Sequence, residues 1–131
     1  MIVNAPVNML AAINDSFANT VALVSTRIWA ERDTPVPDYT PSDGPAICFK
    51  ARDDQYDEED AVIWVSYQFK FYGLTEMTAY DLYRAFRAEA IPYQGPSVMN
   101  IVKEGGGQSL LEPETEWFYV LAFFGVMFLN Q

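Results

Sequence analysis

The chain has 131 residues, 50% of them hydrophobic and 15% aromatic, enough apolar material for the core of one ordinary domain spanning 1–131. It contains no histidine and a single cysteine. The commonest general base and metal ligand is therefore absent, and neither an intrachain disulfide nor a cysteine-based zinc site can form. Eighteen acidic residues against eight basic ones give a net charge of −10, the wrong sign for a protein that holds nucleic acid by neutralising phosphates.

Asn4 followed by Ala5 and Pro6 marks a helix start, with a capping side chain and a proline in the first turn, where its missing N–H does no harm. Leu10, Ile13 and Phe17 recur at helical spacing, which predicts a first helix to about Ala18 with one face packed inward. The first basic residue is Arg27, so the start of the chain lacks the positive n-region of a secretory signal. Residues 21–29 are apolar enough to lead into a short strand around 27–30, with a frayed helix end as the alternative for their first half. Residues 33–45 carry Pro35, Pro37, Pro41 and Pro45 and predict an extended loop without regular structure. A loop this long inside a compact domain is functional or interfacial more often than idle.

Residues 46–51 and 61–72 predict a hairpin. In the second arm Ile63, Val65, Tyr67, Phe69 and Phe71 alternate with Ser66, Gln68 and Lys70, the period-2 pattern of a half-buried strand. The first arm holds Cys48 between apolar neighbours, where a thiol without a histidine partner reads as structural. The connection 52–60 contains Asp53, Asp54, Asp57, Glu58, Glu59 and Asp60. These carboxylates repel one another, which predicts a solvated turn unless a basic partner or cation neutralises it, and the turn lacks the glycine and ligand spacing of a calcium loop. Surfaces facing a channel or a partner are the functional reading of this turn.

Gly73 ends the strand. Thr75 or Thr78 then caps a helix whose inner face is Ala79, Leu82, Tyr83 and Phe86, with Thr78 and Asp81 approximating a capping box. Pro92 disfavours a helical Ile91 and stops the helix near Ala90. Residues 97–103 and 108–111, joined by Gly105, Gly106 and Gly107, predict a weaker hairpin.

The final strand, 117–129, is apolar on both faces, with Trp117, Tyr119, Leu121 and Phe123 on one and Phe118, Val120, Ala122 and Phe124 on the other. Either two layers of the same subunit cover it, or one face is buried by a neighbouring subunit. With two principal helices, the chain is short of material to cover both faces, which points to an oligomer interface. At 13 residues the run falls short of the ~18 to 20 that a membrane-spanning helix requires. The expected product is a soluble protein made in a reducing cytoplasm.

No phosphate-binding glycine loop, nucleotide fingerprint or zinc spacing occurs. Acid/base work by paired carboxylates requires one of them to be desolvated, whereas the acids here cluster in one polar turn. No catalytic residue, cofactor or metal ligand is therefore assigned. The expected class is α+β, a mainly antiparallel or mixed sheet of about four to six strands with two principal helices packed on it.

In order and signature these elements resemble the tail-terminator, or tail-completion, proteins of long-tailed bacteriophages. The likeness lies in an N-terminal helix, the basic-Ile-aromatic strand Arg27, Ile28 and Trp29, the proline-rich segment, and the strand Pro45, Ala46, Ile47, Cys48 and Phe49. It continues through the long alternating strand ending in Phe71 and Tyr72 and the alanine-, leucine- and arginine-bearing helix at 79–90, and covers roughly residues 5–90. The resemblance implies a ring-forming, hexameric structural protein without enzymatic activity, located at the tail–neck junction of a virion and assembled in the host cytoplasm. Its partners would be the tail tube protein and the head-closure or neck protein, with no membrane involved and DNA passing through the ring without being gripped.

A ring needs a heterologous interface. Pro35, Pro37, Tyr39 and Pro41 of the loop and Trp117, Tyr119, Phe123 and Phe124 of the last strand are the candidate patches, and the acidic turn is a candidate lining for the lumen or its mouth. Another head–tail connector, a head-closure or adaptor protein, is the alternative within virion assembly. An acidic DNA mimic that inhibits a nuclease or repressor is the alternative of a different class.

Overall fold

The computed structural model describes residues 5–57, 62–96 and 98–129. The first helix, α1 (Ala5–Ser16), buries Met9, Ala12 and Ile13 on one side. It ends at Phe17, whose backbone leaves the helical region (φ −100°, ψ 69°). Hydrogen bonding nonetheless continues across the break, from the Phe17 N–H to Ile13 O (3.0 Å) and from the Val21 N–H to Phe17 O (2.9 Å). The break lets Phe17 point wholly into the core, edge-on to Phe86 and Tyr93 at 5.5 and 5.3 Å between ring centres.

A second short helix, α2 (Ala18–Val24), follows, so the first half of 21–29 is helical and the described residues hold three α-helices where two principal ones are expected. Seven residues make a marginal helix on their own. Its free N-terminal amides are satisfied from a distance: the Glu89 carboxylate accepts from the Asn19 N–H at 3.0 Å and from the Thr20 N–H and hydroxyl at 2.7 Å each.

Strand β1 (Ile28–Ala30) pairs in parallel with β2 (Ala46–Asp57), Ile28 opposite Ile47. The proline-rich segment between them is not wholly irregular. Pro41–Asp43 forms a single 3-10 turn in which the Asp43 N–H bonds back to Thr40 O at 2.9 Å and Asp43 Oδ2 accepts from the Thr40 N–H at 3.1 Å. β2 also runs six residues beyond the arm expected for it, its backbone staying in register with β3 (Val62–Gly73) through a bulge after Ala51. Asp53, Asp54 and Asp57 therefore belong to a strand, opposite Ser66, Val65 and Val62, and not to the turn; Glu58, Glu59 and Asp60 lie outside the described residues.

Helix α3 (Glu76–Ala90) begins earlier than the Thr78–Asp81 box implies. Thr75 is the cap, accepting from the Thr78 N–H at 3.1 Å, while the Thr78 hydroxyl accepts from the Thr75 N–H at 2.8 Å. Gly73 lets β3 end against this helix start, because a Cβ there would overlap the Ala79 amide nitrogen.

The expected hairpin at 97–111 is instead one strand, β4 (Val98–Leu111), paired throughout with β5 (Phe118–Leu129). Its glycines absorb bulges rather than a reversal: Gly106 has φ +83°, and a Cβ there would meet Leu121 O at 2.5 Å.

The sheet order is β1-β2-β3-β5-β4, antiparallel except for β1 with β2, so the fold is α+β with a five-stranded mixed sheet. All three helices cover one face. Ile63, Val65, Tyr67, Phe69 and Phe71 of β3 and Val120, Ala122, Phe124, Val126 and Phe128 of β5 meet them there and are buried. Phe69, Phe86 and Phe124 form the centre of this core, with ring centres 4.8 to 5.6 Å apart.

Candidate functional site

The face without helices has two parts. At one end the segment 31–45 folds back over Ala46, Cys48 and Tyr72 and drives Tyr39 into a small second core with Trp29, Val36, Trp117 and Tyr119 around it. Tyr39 meets Trp29 at 5.5 Å and Trp117 at 5.6 Å edge-on, and Tyr72 lies 5.4 Å from Tyr119.

Two arginines shape the loop by donating to its carbonyls: Arg27 to Pro45 O (3.0 Å), while also holding Leu23 O of α2 (3.1 Å), and Arg32 to Thr34 O (3.0 Å) and Pro35 O (3.3 Å). The Tyr39 hydroxyl donates to Gly44 O at 2.6 Å. The fold brings Tyr39 of the loop together with Trp117 and Tyr119 of the last strand in one internal cluster, although the two segments read from sequence as separate patches. Pro35 and Pro41 are buried with the loop, and Pro37 stays exposed.

Burial also fixes the chemistry of this cluster. Desolvation pushes the Cys48 thiol up to about 12, so it stays protonated and inert at neutral pH. The same effect raises Tyr39 and Tyr72 above the ordinary tyrosine range, assisted at Tyr72 by the Glu112 carboxylate, which accepts from its hydroxyl at 3.0 Å.

Beyond the loop the same face is open. Leu121, Phe123, Met127 and Leu129 of β5 and Trp64 of β3 are neither buried nor fully exposed. The Arg52 guanidinium lies 4.2 Å above the Phe123 ring and Lys70 Nζ 5.4 Å above that of Tyr119. Lys70 also pairs with Asp33 at 3.4 Å, and the Gln68 amide donates to Asp33 at 2.9 Å. The Gln68 hydrogen bond and then the Lys70 charge hold the Asp33 carboxyl below its usual range. The row Lys50, Gln68 and Phe123 crosses three adjacent strands. Farther along, the Trp64 ring and the Glu104 carboxylate both stand over Gly125.

Phe123 and Phe124 therefore part company: Phe124 is consumed by the helix-side core, and Phe123 is available. Reading alternation placed the two on opposite faces but did not identify Trp64, Met127 or Leu129 as members of the open face. The signal was present, since Trp64 shares the parity of Ser66, Gln68 and Lys70. Among the described residues no group of three acidic or cysteine side chains is disposed to hold a metal ion, and no helix is long and apolar enough to cross a membrane. The arrangement can pack against another surface, through flat aromatic and aliphatic area edged by cations.

The sequence matches no protein-family profile and no curated protein. In three dimensions the chain is similar to one in a solved structure described as "Virion of native gene transfer agent (GTA) particle", with a TM-score of 0.61 at 13% identity, covering 96% of this chain and 98% of that one. At this identity the likeness establishes a common fold extending over nearly the whole of both chains.

Proposed function

We propose that this chain is a structural virion protein that caps the tail tube as a hexameric ring, ends tube growth and joins the tail to the head-closure or neck complex around the DNA channel. The observation that carries the reading is the fold shared, over 96% of this chain, with a component of a virion particle. Two features of the molecule support the narrower role. The helix-free face leaves part of Trp117, Tyr119 and Phe123 open to solvent, with Pro37 exposed on the loop beside it, apolar area that a neighbouring subunit of a ring would cover. A ring of six copies at −10 each surrounds DNA without gripping its phosphates, and the acidic stretch Asp53, Asp54, Asp57, Glu58, Glu59 and Asp60 is assigned to the channel or to a partner-facing rim. No cofactor and no reaction belong to this role.

The test is cryo-electron microscopy of purified particles in which this chain carries a tag. Six copies in one ring between tail tube and neck is the expected result. Twelve copies against the portal would replace the terminator role with that of an adaptor, and absence from particles would overturn the virion reading in favour of a free inhibitor such as a DNA mimic.

A further inference from the structure

The helical layer carries an apolar stripe that the core does not use. α3 turns Ala79, Leu82 and Phe86 inward, all fully buried. Directly opposite, three and four residues apart, stand Met77, Tyr80, Asp81 and Arg84, which with Glu76 line one shallow groove. Met77 is 73% exposed and Tyr80 41%, and Leu74, just before the helix, is 63% exposed. Contiguous apolar side chains of this size left in water mark a contact surface.

This stripe and the open sheet face lie on opposite sides of the two layers, and their charges are complementary. Around the stripe Glu76 and Asp81 are negative, with Arg84 farther along the helix. The sheet face reverses the signs: Lys50 and Arg52 are exposed on the Phe123 side and Glu104 stands beside Trp64. The stripe has two acids to one base and the open face two bases to one acid, its Lys70 and Asp33 being paired with each other, so each surface carries the charge excess opposite to the other's.

We propose that the outer stripe of α3 in one copy of this chain seats on the helix-free sheet face of the next. Met77 and Tyr80 pack against Phe123 and Trp64, Glu76 and Asp81 face Lys50 and Arg52, and Arg84 faces Glu104. The proposal rests on the homo-oligomeric reading above and says which two surfaces meet. Because they differ, the contact is head-to-tail and each copy keeps one of each surface free, so copies add in series and form a ring when the rotation from one to the next closes.

Met77→Cys and Phe123→Cys are placed in separate full-length chains, each also carrying Cys48→Ala, and the chains are mixed and oxidised at concentrations where light scattering detects association. Disulfide-linked dimers in the mixture but in neither variant alone are expected. Dimers of the Phe123→Cys chain with itself would overturn the proposal in favour of a two-fold contact. Association without a cross-link in the mixture would overturn it while leaving the ring intact on other surfaces, and a chain that stays monomeric throughout would overturn both. In parallel, Arg52→Glu and Asp81→Arg are each expected to weaken association roughly ten-fold and together to restore it. Single swaps without effect would remove the charge pairing.

Discussion

On the helix side of the sheet Val120, Ala122 and Phe124 of β5 are excluded from solvent, whereas their alternate neighbours Tyr119, Leu121 and Phe123 stay half-exposed on the other side. Both sets are apolar and belong to one strand. The difference lies in what is left to cover them: three helices close one face, and the segment 31–45 reaches only the end of the other, around Tyr39 and Tyr72. A strand that is apolar on both faces, in a chain with one helical layer, thus carries two kinds of information. One face is used by the fold itself, and the other is the face proposed above to meet a neighbouring copy.

Aspartate substitution breaks this comparison most sharply. Phe124→Asp places an unpaired charge against Phe69 and Phe86, with an expected cost on the order of 5 kcal/mol, comparable with the entire stability of a marginal domain. Circular dichroism should report an unfolded chain. Phe123→Asp, one residue away, puts its carboxylate near the Arg52 guanidinium and should shift unfolding by about 1 kcal/mol or less while abolishing self-association. A folded Phe124→Asp protein, or a Phe123→Asp protein that assembles normally, would erase the distinction between the faces.

Gly73→Ala probes how tightly the helix-covered face is closed. The added methyl collides with backbone at Ala79, which a rotamer change cannot relieve, so a loss of about 1 to 3 kcal/mol in urea unfolding is expected. An unchanged midpoint would mean that α3 can lift from the end of β3 at no cost.

How far these faces were legible in the sequence depended on whether the deciding interaction was local. The alternation of Ile63, Val65, Tyr67, Phe69 and Phe71 identified the inner face of β3 completely, since all five are buried. The inner positions of α3 were read as easily, from helical spacing. α2 reads from sequence only as the alternative of a helix end in the first half of 21–29, because Asn19 and Thr20 interrupt its apolar pattern and the group that satisfies their amides, Glu89, lies some seventy residues away.

Glycine was ambiguous for a different reason. Gly105, Gly106 and Gly107 signal either a turn or a bulge, and the choice is made by β5 pairing along the full length of β4. For the candidate interface, parity separated Phe123 from Phe124, but only the placement of the helices says which of them is covered. Tyr39 reads from sequence as a candidate interface residue of the loop, whereas it is buried in the second core with its hydroxyl on Gly44 O, a contact within its own loop that residue type alone does not announce.

The loop-covered end of the open face should be sensitive to alkali. Cys48 has its ordinary value near 9.0 when unfolded and is pushed up to about 12 by burial when folded. Below about pH 9 both states hold the proton; between there and about 12 only the unfolded chain releases it, so stability falls as pH rises through that window. Tyr39 and Tyr72, raised in the same direction, steepen the fall. Urea midpoints from pH 7 to 10.5 should decline, less so in Cys48→Ala, and the native thiol should resist alkylation at neutral pH. Rapid alkylation of the folded chain would show that the loop does not seal this end.

The smallest effect on folding is expected in the acidic stretch. Reversing Asp57, Glu58, Glu59 and Asp60 to lysine changes the net charge from −10 to −2. Four adjacent carboxylates repel one another, and a run of four lysines restores the same repulsion with the opposite sign, so unfolding should shift by no more than about 0.5 kcal/mol. What should change is the response to polyanions: a ring of reversed chains would hold DNA in a salt-dependent way that the native chain does not. Loss of folding in this variant would mean that the acidic stretch is paired or ion-bound within the subunit, and that the subunit has a third region on which its stability depends.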